Sequence, residues 1–167
     1  RREVWLRKGE AHFTVARDVA RPFRVHAGDV TIQALGTAFN VRVHSADDVE
    51  VLVTEGRVKV ARGQGGAQDG TALERSLGAG ERLKTADPEL AVSAVRPKAL
   101  TDALAWRDGA IVFSGVPLSD AVAELNRYAE TRLVVSDPEI ATLRVGGRYR
   151  TGDLEEFLRA LETALPV

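Results

Sequence analysis

Leu35-Gly36-Thr37-Ala38-Phe39-Asn40-Val41 sits between two runs of alternating apolar residues. Before it, Val30, Ile32 and Ala34 fall on one face of an extended chain; after it, Phe39, Val41 and Val43 do. Successive side chains of a strand point to opposite faces, so each triplet marks a buried phase. A glycine between two such runs signals a bulge or sharp bend, where that phase can be reset. The stretch describes a sheet under construction and carries none of the usual chemistry of an active site.

Working outward, the period of two extends from Val4 to about Val95. Phe13 and Val15, Phe23 and Val25, Val49, Val51 and Val53, and Val58 and Val60 all alternate with polar neighbours. Turn signals separate these runs at Ala27-Gly28-Asp29, Ser45-Ala46-Asp47-Asp48, Glu55-Gly56, Gly78-Ala79-Gly80 and Asp87-Pro88. Short strands punctuated every 8–12 residues or so predict an all-β sandwich or barrel of twisted antiparallel sheets. Residues 63–70, rich in glycine, read as a flexible loop, and they lack the lysine and following helix of a phosphate-cradling loop.

Arg96-Pro97-Lys98 ends the β pattern, and 97–108 reads as a linker containing a short helix or structured turn. Residues 109–167 then predict a small β-α-β-β-α domain. Its strands fall at Ala110–Phe113, Arg132–Val135 and Leu143–Tyr149. Its first helix opens at Pro117, where the missing N–H costs nothing, and carries Leu118, Ala121, Val122, Leu125 and Tyr128 on one stripe. Asp153, with Glu156 three residues on, caps a second helix bearing Leu154, Phe157, Leu158, Leu161 and Leu165. The expected architecture is therefore mainly β over 1–96, with an α+β part at the C-terminus that lacks its closing strand.

The 167 residues hold 23 basic and 24 acidic side chains, a net charge of −1 that gives no long-range attraction to nucleic acid or an anionic membrane. Without cysteine there is neither a disulfide framework nor a thiolate metal site, and the compartment stays open. No apolar run approaches the roughly 20 residues that span a bilayer, and no signal peptide opens the chain.

Candidate chemistry is sparse. His12, His26 and His44 fall on different strands at polar phases, which reads as solvent-facing histidines, with convergence on zinc as the sharper alternative. Asp47, Asp48 and Glu50 lack the alternate carboxylates and glycine turn of a calcium loop. Glu124, Glu155 and Glu156 fall on helix faces. Ser114-Gly115 precedes a helix, but no histidine in the second half can serve it as base. The chain reads as a non-enzyme without cofactor or metal, a binding module offering sheet edges that pair with a partner's strand.

A resemblance sharpens this. Leu6-Arg7-Lys8-Gly9-Glu10-Ala11-His12-Phe13-Thr14-Val15-Ala16, Pro22-Phe23-Arg24-Val25 and the Leu35–Val41 stretch resemble the ferric-citrate-type regulator (FecR) family of transmembrane anti-sigma factors. Val53–Val58, Leu77–Leu83, Trp106–Phe113, Pro117-Leu118 and Leu125–Tyr128 continue the likeness in order. The second half is similar to the short N-terminal domain of secretins and TonB-dependent receptors. The resemblance implies a periplasmic portion of a single-pass inner-membrane protein. Its partner would be the signalling domain of a TonB-dependent outer-membrane receptor loaded with iron-siderophore or a similar substrate. An extracytoplasmic-function sigma factor would be held by a cytoplasmic segment outside this sequence and freed by regulated proteolysis. The family's β domain usually begins with strands ahead of Arg1, so the chain is expected to be an excised, monomeric or weakly dimeric piece.

Candidate partner contacts are Thr37, Asn40 and Arg42 near the bend, with Asn126 and Arg127 on the first helix of the small domain. Asn40 has an alternative reading as a backbone-satisfying residue at the bend, and Arg127 as a solvated one. Two rival functions are a glycan or peptidoglycan-fragment receptor, which calls for exposed aromatics, and an oligomerising envelope-assembly module.

Overall fold

A computed structural model describes residues 2–63 and 73–164. Most of the glycine-rich loop, and Leu165 of the expected helix stripe, lie outside the described residues. The chain divides into two compact units, residues 1–100 and 101–167.

In the first unit the strands are β1 (Arg2–Trp5), β2 (Gly9–Thr14), β3 (Phe23–Ala27), β4 (Val30–Ala34), β5 (Ala38–Val43), β6 (Val49–Glu55), β7 (Arg57–Arg62), β8 (Leu73–Gly78), β9 (Glu81–Lys84) and β10 (Val92–Ala94). They form two five-stranded sheets, ordered β1-β3-β4-β7-β8 and β10-β9-β6-β5-β2. All neighbours are antiparallel except β1, which lies parallel to β3 with Val4 opposite Val25. After β1 and β2, consecutive hairpins alternate between layers: β3-β4 in one sheet, β5-β6 in the other, then β7-β8, then β9-β10. The expected sandwich is present.

That alternation explains the opening stretch. Leu35-Gly36-Thr37 is the corner at which the chain leaves one sheet after Ala34 and enters the other at Ala38. Gly36 has φ +98°, a region side-chain-bearing residues avoid. A Cβ there would stand 2.6 Å from the Cβ of Arg17. Gly56 (φ +77°) makes the return corner between β6 and β7, and a Cβ on it would lie 2.9 Å from Thr37 Cγ2. The two corners are stacked. The register irregularity expected at Gly36 falls two residues on, between Ala38 and Phe39.

Both triplets of the opening stretch are buried in a single core shared by the layers. Val25, Ile32, Val60 and Leu77 come from the first sheet; Phe39, Val41, Val51, Val53 and Leu83 come from the second. Phe13 lies 5.3 Å from Phe39 and 5.6 Å from Phe23, an aromatic group that bridges the sheets. Thr85, just past β9, is buried: its hydroxyl donates to the carbonyl of Asp47 (3.0 Å) and accepts from the amide of Val49 (2.8 Å). Arg62 ties the end of β7 to Asp29 (2.9 Å) and to the carbonyls of Thr85 and Pro88.

Helix α1 (Pro97–Ala103) and a 3-10 turn over Ala105–Asp108 occupy the stretch read as a linker. The second unit then contains β11 (Ala110–Pro117), α2 (Leu118–Leu125), α3 (Pro138–Ala141), β12 (Arg144–Arg150) and α4 (Leu154–Ala164). Strands β11 and β12 pair antiparallel, with a bulge at Ser114-Gly115-Val116. Strand β11 is four residues longer than its apolar run, because backbone pairing continues through the bulge. Phe113, Tyr149 and Phe157 make an aromatic trio, Tyr149 edge-on to Phe157 at 5.1 Å, packed with Leu118, Ala121, Val122 and Leu125. Asp153 caps α4 through the amide of Glu156 (3.0 Å).

Two expectations are corrected here. Arg132–Val135 is not a strand: it joins no sheet among the described residues. Leu158 does not belong to the buried side of α4, for it is exposed while Phe157 is buried.

Candidate interaction surfaces

The corner that organises the sandwich also shapes a groove. Arg17 and Val19, from the loop between β2 and β3, stand beside Leu35-Gly36-Thr37. Gln33 on β4, Lys59 on β7 and Ser76 on β8 form the floor, with Arg57 at the start of β7. Gln33 is directly opposite Lys59, and Lys59 opposite Ser76, so the floor is one row of outward positions across three strands. The groove is open, about 450 Å³ in volume, and its lining carries three cations and no carboxylate. Leu35 (41% exposed) and Val19 (68%) add apolar surface.

Thr37 borders this groove but is itself buried, its carbonyl accepting from the amide of Val15 (2.8 Å). Asn40 is buried too. Its amide donates to the Glu10 carboxylate across β2 and β5 (2.7 Å), so its partner is a side chain and not the backbone of the bend. Glu10 also faces Arg42 at 3.7 Å. The row continues across β6 and β9, where Glu50 receives Lys84 (3.3 Å) and His44 (3.9 Å). Burial alone would push the Glu50 carboxyl up; His44, Lys84 and Arg82 outweigh it and hold the group below its ordinary 4.5. Asn40 and Arg42 thus belong to a cross-strand polar row.

Asn126, one residue past α2, turns toward Leu133. Its side-chain amide donates to the Leu133 carbonyl (2.9 Å) and accepts from the Leu133 amide (2.8 Å). One side chain thus gives residue 133 the pair of bonds a neighbouring strand would supply, and its backbone groups are satisfied outside a sheet. Val134 beside it is 81% exposed. Arg127 is exposed. A second open groove, about 830 Å³, lies among Tyr128, Leu133, Arg150, Asp153, Leu154 and Leu158.

The histidines do not converge. His12 is on β2 and His44 lies just past β5, while His26, half-buried on β3, stacks on Trp5 (4.9 Å) and bonds Thr31 (3.1 Å). Among the described residues no group of three or more His, Asp and Glu is placed to hold a metal ion. Ser114 sits in the β11 bulge and not at a strand-to-helix turn. Trp5 is the large exposed aromatic that a glycan reading asks for, but His26 already covers one face of its ring. No described helix is long and apolar enough to cross a membrane. The residues that sequence reasoning missed are Arg17, Arg57 and Lys59. Arg57 and Lys59 lie two residues apart on the outward face of β7, but Arg17 is distant in the chain and only the corner brings it beside them.

Residues 1–59 match the FecR protein family, and residues 110–167 match its C-terminal region. The chain belongs to the FecR family. The first FecR match runs from β1 into β7 and contains both glycine corners; the second contains β11 through α4. Two crystal structures of a protein from Parabacteroides distasonis, proposed to be an anti-sigma factor, have the same fold as this FecR chain. They give TM-scores of 0.66 and 0.64 at 22% and 23% identity, covering 94% of this chain and 70% of the other. No curated protein matches the sequence.

Proposed function

We propose that the chain is the periplasmic signal-relay portion of a membrane-anchored anti-sigma regulator. It binds the N-terminal signalling domain of a TonB-dependent outer-membrane receptor and so controls release of an extracytoplasmic-function sigma factor, in response to iron-siderophore or a comparable substrate. The observation that carries this reading is the FecR match at both ends of the chain, one in each compact unit. The fold shared with the P. distasonis protein supports it. The chain acts by contact and not by catalysis. Relay requires that receptor binding favour one arrangement of the module over another, since a partner that binds two states equally shifts nothing. Asn126 and Arg127 remain contact candidates on the second unit. Arg42 does on the first, while Thr37 and Asn40 act through the shape of the surface around them.

The test is sigma-dependent transcription in cells carrying the full-length regulator, with residues 1–167 intact or replaced by an unrelated periplasmic domain. The replacement should uncouple transcription from the inducing substrate. An inducer response that survives the replacement would overturn the reading.

A further inference from the structure

We propose that the groove at the Gly36 corner docks an extended segment of a partner protein in which carboxylates alternate with aliphatic side chains. The first observation is electrostatic. Arg21, Arg24, Arg42 and Arg62 of the same unit each face a carboxylate, from Asp18, Glu3, Glu10 and Asp29 respectively. Arg17 and Arg57, which flank the groove, have no such partner among the described residues, and the lining contributes no Asp or Glu. Of the acidic groups nearby, Asp18 holds Arg21 (2.9 Å) and Glu81 accepts from the amide of Gly78 (2.6 Å). Glu74 pairs with Lys59 in the groove floor (2.9 Å), which leaves Arg17 and Arg57 as the lining cations that face no carboxylate among the described residues. Two guanidinium forks open to solvent are matched geometrically to carboxylates.

The second observation is shape. The floor crosses β4, β7 and β8, and strands spaced about 4.8 Å apart make it roughly 10 Å wide. An extended peptide advances about 3.3 Å per residue, so about three residues cross it, with side chains alternating toward and away from the floor. Gln33 and Ser76 offer hydrogen-bonding groups to such a backbone. Exposed Val19 and Leu35 offer aliphatic contact beside the cations. A small rigid ligand is a poorer match, because an open groove leaves most of it in water. The segment can belong to a receptor domain or to another protein, and peptide probes examine the groove independently of the receptor.

The experiment is fluorescence anisotropy of the 167-residue chain with a labelled octapeptide alternating glutamate and leucine, beside one alternating glutamine and leucine. The acidic peptide should bind saturably with a Kd below about 1 mM. Binding should weaken roughly tenfold with the glutamine peptide, and similarly in the Arg17→Ala, Arg57→Ala double variant or the Arg57→Glu single variant. Amide NMR shifts should centre on Arg17, Val19, Leu35 and Gly36. No saturable binding, equal affinity for the two peptides, or affinity unchanged in folded variants would overturn the proposal. So would displacement by equimolar inorganic phosphate, which marks a simple anion site, or self-association of the chain through the same residues.

Discussion

Replacing Gly36 by alanine tests the corner on which the first unit turns. Residue 36 has φ +98°, and a Cβ there would lie 2.6 Å from Arg17 Cβ and 2.8 Å from Arg17 Cα. Left-handed backbone costs a non-glycine residue about 1–2 kcal/mol. Relief of the clash requires backbone movement in the loop carrying Arg17, an overpacking cost of about 1–3 kcal/mol. Against these, alanine restricts the unfolded chain and returns about 0.4–1 kcal/mol. The net expectation is a loss of about 3 kcal/mol, or a Tm lower by roughly 10–20 °C for a unit of this size. Each compact unit contains one tryptophan, Trp5 and Trp106, so a Trp106→Phe background restricts the fluorescence signal to the first unit during urea unfolding. Gly80→Ala is the control: its φ of +78° carries the conformational cost, but nothing lies within 4 Å of the new Cβ. If Gly36→Ala costs no more than Gly80→Ala, the corner is not tightly packed and the reasoning fails.

Other substitutions separate the remaining interactions. Asn126→Asp keeps the acceptor for the Leu133 amide but sets oxygen against its carbonyl; it should cost about 1–3 kcal/mol and speed amide exchange at Leu133. Exchange no faster than in the wild type would show that Asn126 does not hold the segment. Thr85→Val leaves the buried Val49 amide without its acceptor and the Asp47 carbonyl without its donor, and should lower the urea-derived stability of the first unit by about 1–3 kcal/mol. Glu50→Gln should cost about 1 kcal/mol at pH 7. Because the Glu50 pKa is lowered on folding, its contribution is present above 4.5 and is lost as pH falls through the folded value. The gap between wild type and variant should therefore shrink in unfolding curves taken below pH 4.5, and a gap that widens there would contradict the assignment.

The sandwich was readable because inward phases of period two are a local signal, and because glycine at the corners is demanded by backbone geometry. The same applies to the start of α2 directly after Pro117, which ends β11 in an extended conformation, and to the Asp153 cap, both set by residues a few positions apart. What escaped depends on residues distant in sequence. Arg132–Val135 has strand-like composition, but a strand exists only where a neighbouring backbone is free to pair, and here the Asn126 side chain takes that role. Asn40 sits at an outward phase and so looks available to a partner. Only the β2-β5 register reveals that Glu10 engages it. The parallel β1-β3 pairing and the basic groove are non-local in the same way, since Arg17 meets Arg57 and Lys59 of β7 only through the sheet switch at Gly36.

The most direct test of the signal-relay proposal is calorimetric titration of this chain with the isolated, folded signalling domain of the TonB-dependent receptor proposed as its partner. The account predicts saturable one-to-one binding, abolished by a lesion such as Phe39→Ala that empties the core of the first unit or Phe157→Ala that does so in the second. Absence of binding at high micromolar concentration, with both proteins folded, would contradict it.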